Sequence, residues 1–215
     1  MRAKRLTAAV IWAAMAPVAG AQDRPTTVCA FDGFDANPKI AEVITTQRAT
    51  GYFGCATDSK CTATTLAPGD PVIVYRVAAP WTCAYLSSSA GAGPGWIGSK
   101  EIRLVLADSN PALKAWAGTW KGGEDLVTIG LSKTAGELDL NGKAVWHGRA
   151  DVVHTGDFAG TAAPHGNHLH FAGGSTADSC IVDLTLAGKY VVAGDNNHCG
   201  GLNARFQGVW KRAAR

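Results

Sequence analysis

The C-terminal half of the chain constrains the fold most strongly, because short β-type segments alternate there with turn-forming residues. From Trp116 onward, runs of β-branched and aromatic residues are separated by Gly, Asn and Asp, a pattern typical of antiparallel strands joined by tight turns. The predicted strands cover 118–121, 125–131, 137–140, 143–146, 151–158, 167–171, 180–186, 189–193 and 203–211. These nine segments with short turns favour an all-β, up-and-down antiparallel barrel of approximately eight strands, in which closure removes the sheet edges.

Asn141-Gly142 is the strongest turn signal in this half. An Asn-Gly pair supplies both positive φ angles of a type I′ turn, so it predicts a hairpin between the segments on either side. With a two-residue loop, Leu138 would lie opposite Val145 on one face, and Trp146 would lie on the other. An outward Trp146 is a candidate for contact between domains, unless a bulge turns it inward.

In a closed barrel the first and last strands are neighbours, and here Gly118-Thr-Trp120 opens the unit while Arg212 ends it. A guanidinium over an indole would close that end by a cation–π attraction of about 0.5–2 kcal/mol. The alternative is two unrelated surface residues. This pair resembles the opening tryptophan and closing basic residue of calycin-type barrels such as lipocalins and avidins. The resemblance implies a barrel domain over 111–215, clasped by Trp120 and Arg212.

The tail of this half carries a run of polar and glycine residues. Asp195, Asn196, Asn197 and Asn203 could form a rim that binds a sugar or peptide, but Asn, Asp and Gly are also what tight turns require. We favour the turn interpretation. The tail also resembles those of small uncharacterised secreted bacterial proteins, a likeness that implies no activity.

Strand signals in the N-terminal half are clear at 71–77, 81–86, 95–98 and 102–105, whereas 40–49 fits either a helix or a strand. The segment 51–65 is predicted to be a loop, and so is 87–95. Asn110-Pro111 marks the boundary between the two halves, because the residue before proline is pushed out of helix.

The order of these segments resembles bacterial SH3-like domains over about residues 65–106. The matching residues are Gly69, Asp70, Val72, Trp81, Tyr85, Gly95, Trp96 and Ile97. The resemblance implies that 22–110 is an SH3-like small barrel with an N-terminal extension, which binds cell-wall peptides or partner proteins. It also implies a groove lined by Trp81, Tyr85 and Trp96, although these aromatic residues could equally be core.

Residues 1–21 are typical of a secretory signal, with Arg2, Lys4 and Arg5 before an apolar run and small residues ahead of a cleavage point after about Ala21. We therefore expect a periplasmic or secreted protein.

The chain has 20 basic and 17 acidic residues, and three of the basic ones belong to the signal, so the mature chain is formally neutral. A neutral chain without a basic run argues against nucleic acid or an anionic membrane as partner.

Six cysteines follow the signal, an even number that predicts disulfides in an oxidising compartment. Cys180 and Cys199 fall at the same end of the predicted barrel, and a bridge there would stabilise the fold by about 3 kcal/mol. Cys55 and Cys61 are spaced for a small local bridge. Cys29 with Cys83 follows by elimination, as one of three connectivities. A catalytic thiol is disfavoured because every cysteine has a partner.

His165, His168 and His170 suggest a metal site, since two of them share one face of a predicted strand. No acidic residue is adjacent in sequence to act as a general base, so exposed histidines are the preferred interpretation.

The sequence contains neither a nucleophile elbow nor a phosphate-binding glycine loop. We expect no enzyme activity and no cofactor. The expected function is binding of a cell-wall peptide or glycan, or of an envelope protein, through the SH3-like domain. The alternatives are a small-ligand barrel and a periplasmic inhibitor of a lysozyme-like enzyme.

Overall fold

The structure is a computed structural model that describes residues 28–29, 38–54, 61–88, 91–176 and 178–213. The predicted signal at 1–21 and Cys55 lie outside the described residues. The described chain is all-β, as predicted, with short 3-10 turns at Ser99–Glu101 and Leu113–Ala115. Its strands are β1 (Lys39–Val43), β2 (Ala49–Phe53), β3 (Thr62–Leu66), β4 (Pro71–Ala78), β5 (Trp81–Ser88), β6 (Gly91–Gly98), β7 (Ile102–Leu104), β8 (Gly118–Gly122), β9 (Asp125–Leu131), β10 (Leu138–His147), β11 (Val153–Ala162), β12 (His168–Ala172), β13 (Ile181–Ala187), β14 (Tyr190–Asp195) and β15 (Gly208–Arg212). Among the described residues, no helix is long and apolar enough to cross a membrane.

The C-terminal strands form an eight-stranded antiparallel sheet in the order β11-β10-β9-β8-β15-β14-β13-β12, which curls into a nearly closed barrel. The first strand of the barrel therefore pairs with the last, as the sequence predicted. Alternating residues point inward and fill the interior, because successive side chains of a strand face opposite sides. The largest of these buried side chains are Trp116, Trp120, Phe206 and Trp210.

The hairpin predicted at Asn141-Gly142 is wrong, because β10 runs straight through it. Gly142 pairs with Val127 on β9 and with Phe158 on β11. A Cβ atom at Gly142 would lie 2.2 Å from the Phe158 ring, so the glycine serves close packing of an aromatic ring rather than a turn. The two predicted strands merge into one, which leaves eight strands in the barrel.

Trp146 consequently lies on the same face of β10 as Leu138, rather than on the opposite one. Its ring stacks on His154 with 5.2 Å between ring centroids, so the predicted outward orientation of Trp146 is wrong. Val145 is not opposite Leu138; its N–H donates to Asp125 at 2.8 Å.

The N-terminal strands form a seven-stranded sheet in the order β3-β2-β6-β5-β4-β1-β7. The undecided segment 40–49 contributes β1 and the start of β2. The predicted loop over 51–65 is wrong in part, since β2 and β3 pair antiparallel there. The loop predicted at 87–95 is also too long, because β5 and β6 remain paired as far as Ser88 and Gly91. Threonine and glycine in these strands hide the apolar alternation that marks a strand.

The two sheets meet on the outer wall of the barrel. Ile40 and Ile73 of the first sheet pack against outward-facing side chains of β14 and β15, including Val192 and Val209. Beside this apolar contact, the Tyr190 hydroxyl lies 2.7 Å from Glu42 Oε1 and 3.0 Å from the Gly69 carbonyl. The burial of this contact and its directional hydrogen bonds hold the two sheets in one relative position.

Two of the predicted disulfides are confirmed. Cys29 is bonded to Cys83 of β5, and Cys180, just before β13, is bonded to Cys199 of the tail. Cys61 is also disulfide-bonded, and its predicted partner Cys55 lies outside the described residues.

Candidate functional site

The aromatic residues that the sequence placed in a groove are mostly core. Trp96 is 2% exposed and Trp81 8% exposed, and both pack in the cluster that contains Cys29 and Cys83. Their large apolar rings cover the disulfide, which explains their position without a ligand. Of the two alternatives left open by the sequence, burial therefore favours the core for these tryptophans.

Tyr85 lies apart from them, half-buried at the contact between the sheets. Burial raises the pKa of its hydroxyl, and the nearby Asp125 carboxylate raises it further. Burial also raises the pKa of Asp125, although the hydrogen bond from the Val145 N–H opposes this effect. The predicted trio of aromatic residues is thus divided between a core and an interface.

The polar residues of the tail form its turns. The Asp195 side chain is fully buried and accepts hydrogen bonds from the backbone N–H groups of Asn197 and Phe206. Asn196 Oδ1 accepts from the Ile181 N–H, while its amide donates to the Ser179 carbonyl at 2.8 Å. Asn197 has a φ of 67°, in the left-handed region that asparagine tolerates. The turn interpretation therefore accounts for these side chains, and for Asn203, whose φ is 68°.

The tail also covers the free edge of β11, where the barrel sheet ends. The Asp157 N–H donates to the Cys199 carbonyl and the Gly201 N–H to the Thr155 carbonyl, both at 3.0 Å. A Cβ atom at Gly200 would lie 2.4 Å from the Gly156 Cα, so glycine is required for this approach. Through the Cys199 disulfide, the tail links β11 to the start of β13.

The histidines are arranged as predicted, with His168 and His170 on the outer face of β12 and Leu169 and Phe171 in the core. Their neighbours come from the adjacent strand. His170 Nδ1 lies 2.7 Å from an Asp183 carboxylate oxygen, a partner that sequence adjacency could not show. Within the described parts of the chain, no three His, Cys, Asp or Glu side chains converge as metal ligands.

The end of the barrel has the predicted clasp geometry. The Arg212 guanidinium lies 4.2 Å from the centroid of the Trp120 ring and donates to the carbonyls of Ala115 and Ala117. Trp120 Nε1 donates to the Trp116 carbonyl at 2.8 Å. Side chains thus fill the barrel, and its end is covered.

An open space of about 380 Å³ lies instead between the two sheets, and we call it the junction cleft. One wall comes from the loop before β2, from β3 and from the turn that follows it, and the other from β8, β15 and the turn after β8. The lining residues are Arg48, Thr65, Ala67, Asp70, Pro71, Lys121, Gly122, Gly123, Val209 and Lys211.

The cleft carries an excess of positive charge. Arg48, Lys121 and Lys211 contribute three cations, against the single carboxylate of Asp70. That carboxylate is already engaged, because one oxygen accepts from the Ala67 N–H at 2.8 Å and the other lies 3.7 Å from Lys211 Nζ. The cleft is therefore suited to an anionic or polar ligand.

A scan against protein-family models finds no match for the chain. Searches of curated proteins and of solved structures find none either. The chemistry of the site thus rests on its residues alone.

Sequence reasoning missed the junction cleft because its walls come from distant parts of the chain. One signal could have located half of it. Lys121 directly follows Trp120, and Lys211 directly precedes Arg212. Because Trp120 and Arg212 were predicted to meet on neighbouring strands, the two lysines should also lie side by side. Alternation then places both lysines on the outside of the barrel.

Proposed function

We propose that this protein is an exported, non-enzymatic binding protein of the cell envelope, which holds a cell-wall peptide or glycan fragment in the junction cleft. The observation that carries the proposal is the cleft itself. Its volume falls within the range of about 300–1,000 Å³ that is usual for ligand sites, and contacts between domains are among their preferred locations.

The surroundings of the cleft support a preformed site. Tyr190 binds Glu42 and Gly69 across the contact between the sheets, so the walls need not be ordered when a ligand arrives. A site that is already ordered avoids part of the entropic cost of binding. The resemblance to SH3-like domains adds wall peptides as the expected ligand class.

The same observations weigh against a ligand inside the barrel. Its interior is occupied by eighteen buried side chains that pack against one another, and an eight-stranded barrel commonly has room for no more than this. An exported location agrees with the two disulfides of the described residues, which are stable in oxidising compartments. The hypothesis of a lysozyme inhibitor has no specific feature of the described residues in its favour.

Co-sedimentation of the exported protein with insoluble peptidoglycan tests the proposal. Thr65→Trp would fill the cleft from its β3 wall without changing the charge. Thr161→Trp is the matched control, because Thr161 is an exposed strand threonine on β11, outside the cleft lining. We expect the parent protein and the Thr161→Trp variant to sediment with the wall, and the Thr65→Trp variant to remain in the supernatant. Failure of the parent protein to sediment, or wall binding by the Thr65→Trp variant, would contradict the proposal.

A further inference from the structure

Two lysines face each other directly on the barrel wall of the junction cleft. Lys121 of β8 and Lys211 of β15 are cross-strand partners in the antiparallel register, and both are exposed. Directly opposed residues have Cβ atoms about 4.5–5.5 Å apart, and like charges at such positions destabilise a sheet. A nearby negative charge would therefore stabilise this like-charge pair, which joins the first and last strands of the barrel.

The protein itself supplies only part of that charge. Asp70 lies 3.7 Å from Lys211, whereas none of the described acidic side chains forms an ion pair with Lys121 or with Arg48. Arg48 brings a third cation to the same cleft from the N-terminal sheet. Three cations thus share one open space with one carboxylate.

We propose that the junction cleft is an anion site, in which a carboxylate or phosphate group of the ligand lies between Lys121 and Arg48, with Lys211 as a further donor. This inference rests on the proposed function and names the chemistry of its ligand. A guanidinium offers a planar fork that matches the two oxygens of such a group, and lysine adds a point charge. Asp70 holds Lys211 in place.

Because Arg48 and Lys121 belong to different sheets, the bound anion also links the two halves of the molecule. A ligand that binds the folded protein alone raises its apparent stability by mass action. In the anion-free protein, by contrast, removal of one lysine relieves repulsion between Lys121 and Lys211. Lys121→Gln is thus expected to leave the melting temperature unchanged or higher without anion, and to abolish the gain that anion brings.

Isothermal titration with two probes tests this inference and separates the sources of the anion. The probes are inorganic phosphate and N-acetylated glutamyl-alanine, each in chloride buffers of matched ionic strength. The same N-acetylated dipeptide, amidated at both carboxyl groups, is the neutral comparison. The variants are Lys121→Gln and the control Lys143→Gln, which removes the same charge from an exposed strand position of the barrel outside the cleft lining. We expect Lys121→Gln to weaken binding about 10-fold or more, as for loss of a hydrogen bond to a charged group. Lys143→Gln should bind like the parent protein.

Tight binding of the dipeptide alone would identify carboxylates as the ligand group, and binding of phosphate alone would identify phosphate. Equal losses in the two variants, or equal binding of the amidated dipeptide, would overturn the inference. A parent protein that sediments with the wall but binds neither anion would overturn this inference and leave the proposed function standing. A parent protein that binds an anion but does not sediment with the wall would overturn the proposed function and leave the anion site standing.

Discussion

Strands β8 and β15 contribute one face to the interior of the barrel and the opposite face to the junction cleft. Trp120 of β8 and Trp210 of β15 point inward and are buried, while the next residue of each strand, Lys121 or Lys211, points outward into the cleft. Strand geometry enforces this division, since successive side chains face opposite sides. The strands that pack the barrel interior with their inner faces therefore also form the platform of the candidate site with their outer faces.

This division implies that stability and binding can be changed separately. Substitutions on the inner face should lower the free energy of unfolding and leave ligand affinity intact as long as the fold survives. Substitutions on the outer face should lower ligand affinity and change the free energy of unfolding little, because exposed side chains contribute little to stability.

Trp210→Ala should have the largest effect on the inner face. Trp210 packs against Phe206 with 6.3 Å between ring centroids, and loss of a buried aromatic ring typically costs about 3–5 kcal/mol. Urea denaturation measures the loss, with Leu202→Ala, at a residue that is 75% exposed, as the control. The milder Trp210→Phe keeps the fold available for binding measurements. A loss of ligand affinity in Trp210→Phe equal to that in Lys121→Gln would break the separation of the two faces.

Gly142→Ala should cost about 1–3 kcal/mol, the usual penalty for overpacking a core. The added methyl group would lie 2.2 Å from the Phe158 ring, which is fixed inside the barrel. Gly130→Ala is a matched control on the neighbouring strand, because its Cβ atom would meet only Asp139 at 3.8 Å. Thermal unfolding of the two variants should therefore diverge. Equal melting temperatures would mean that the side chains around Gly142 rearrange to accommodate the added methyl group, which a closely packed core should resist.

Gly142 also shows where prediction from sequence stops. An Asn-Gly pair is typical of a tight turn, but a glycine also fits a strand that packs closely against an aromatic ring. Phe158 of the neighbouring strand provides that ring, so Gly142 lies within a continuous strand. Sequence predicted the barrel well because each strand carries its own alternation and the order of strands follows the chain. The clasp of Arg212 over Trp120 followed from the same closure argument.

The site was harder to predict because it depends on how the two sheets meet. Arg48 and Lys211 lie far apart in the sequence, and no local pattern joins them. The tryptophans of the segment that resembles SH3-like domains left the question open for a related reason, since a large aromatic residue in a short motif fits a groove and a core equally well. The contact of Trp96 with the Cys29–Cys83 cluster, which decides the matter, is tertiary.

The contact between the sheets offers the smallest and most specific test, because it fixes the walls of the junction cleft relative to each other. Tyr190→Phe removes the hydroxyl that binds Glu42 and Gly69 and leaves the buried ring. We expect a loss of about 1–2 kcal/mol in the free energy of unfolding at neutral pH, between the values for an ordinary hydrogen bond and for one to a charged group. Lys189→Gln, at an exposed lysine 3.0 Å from the same carboxylate, should cost less than about 1 kcal/mol.

The pH dependence of that loss tells a hydrogen bond from simple packing. The Tyr190 hydrogen bond holds the pKa of Glu42 below 4.5, against the opposing effect of burial and with help from Lys189. A carboxylate whose pKa is lowered by folding stabilises the folded state above its unfolded pKa, and this contribution is lost as the pH falls through the folded pKa. The deficit of Tyr190→Phe should therefore be largest at neutral pH and shrink as the pH falls below 4.5, as measured by urea denaturation across that range. A deficit that stays constant down to acid pH would assign the role of Tyr190 to packing. The position of the cleft walls would then rest on the apolar contact of Ile40 and Ile73 and on the ion pairs Lys189–Glu42 and Lys211–Asp70.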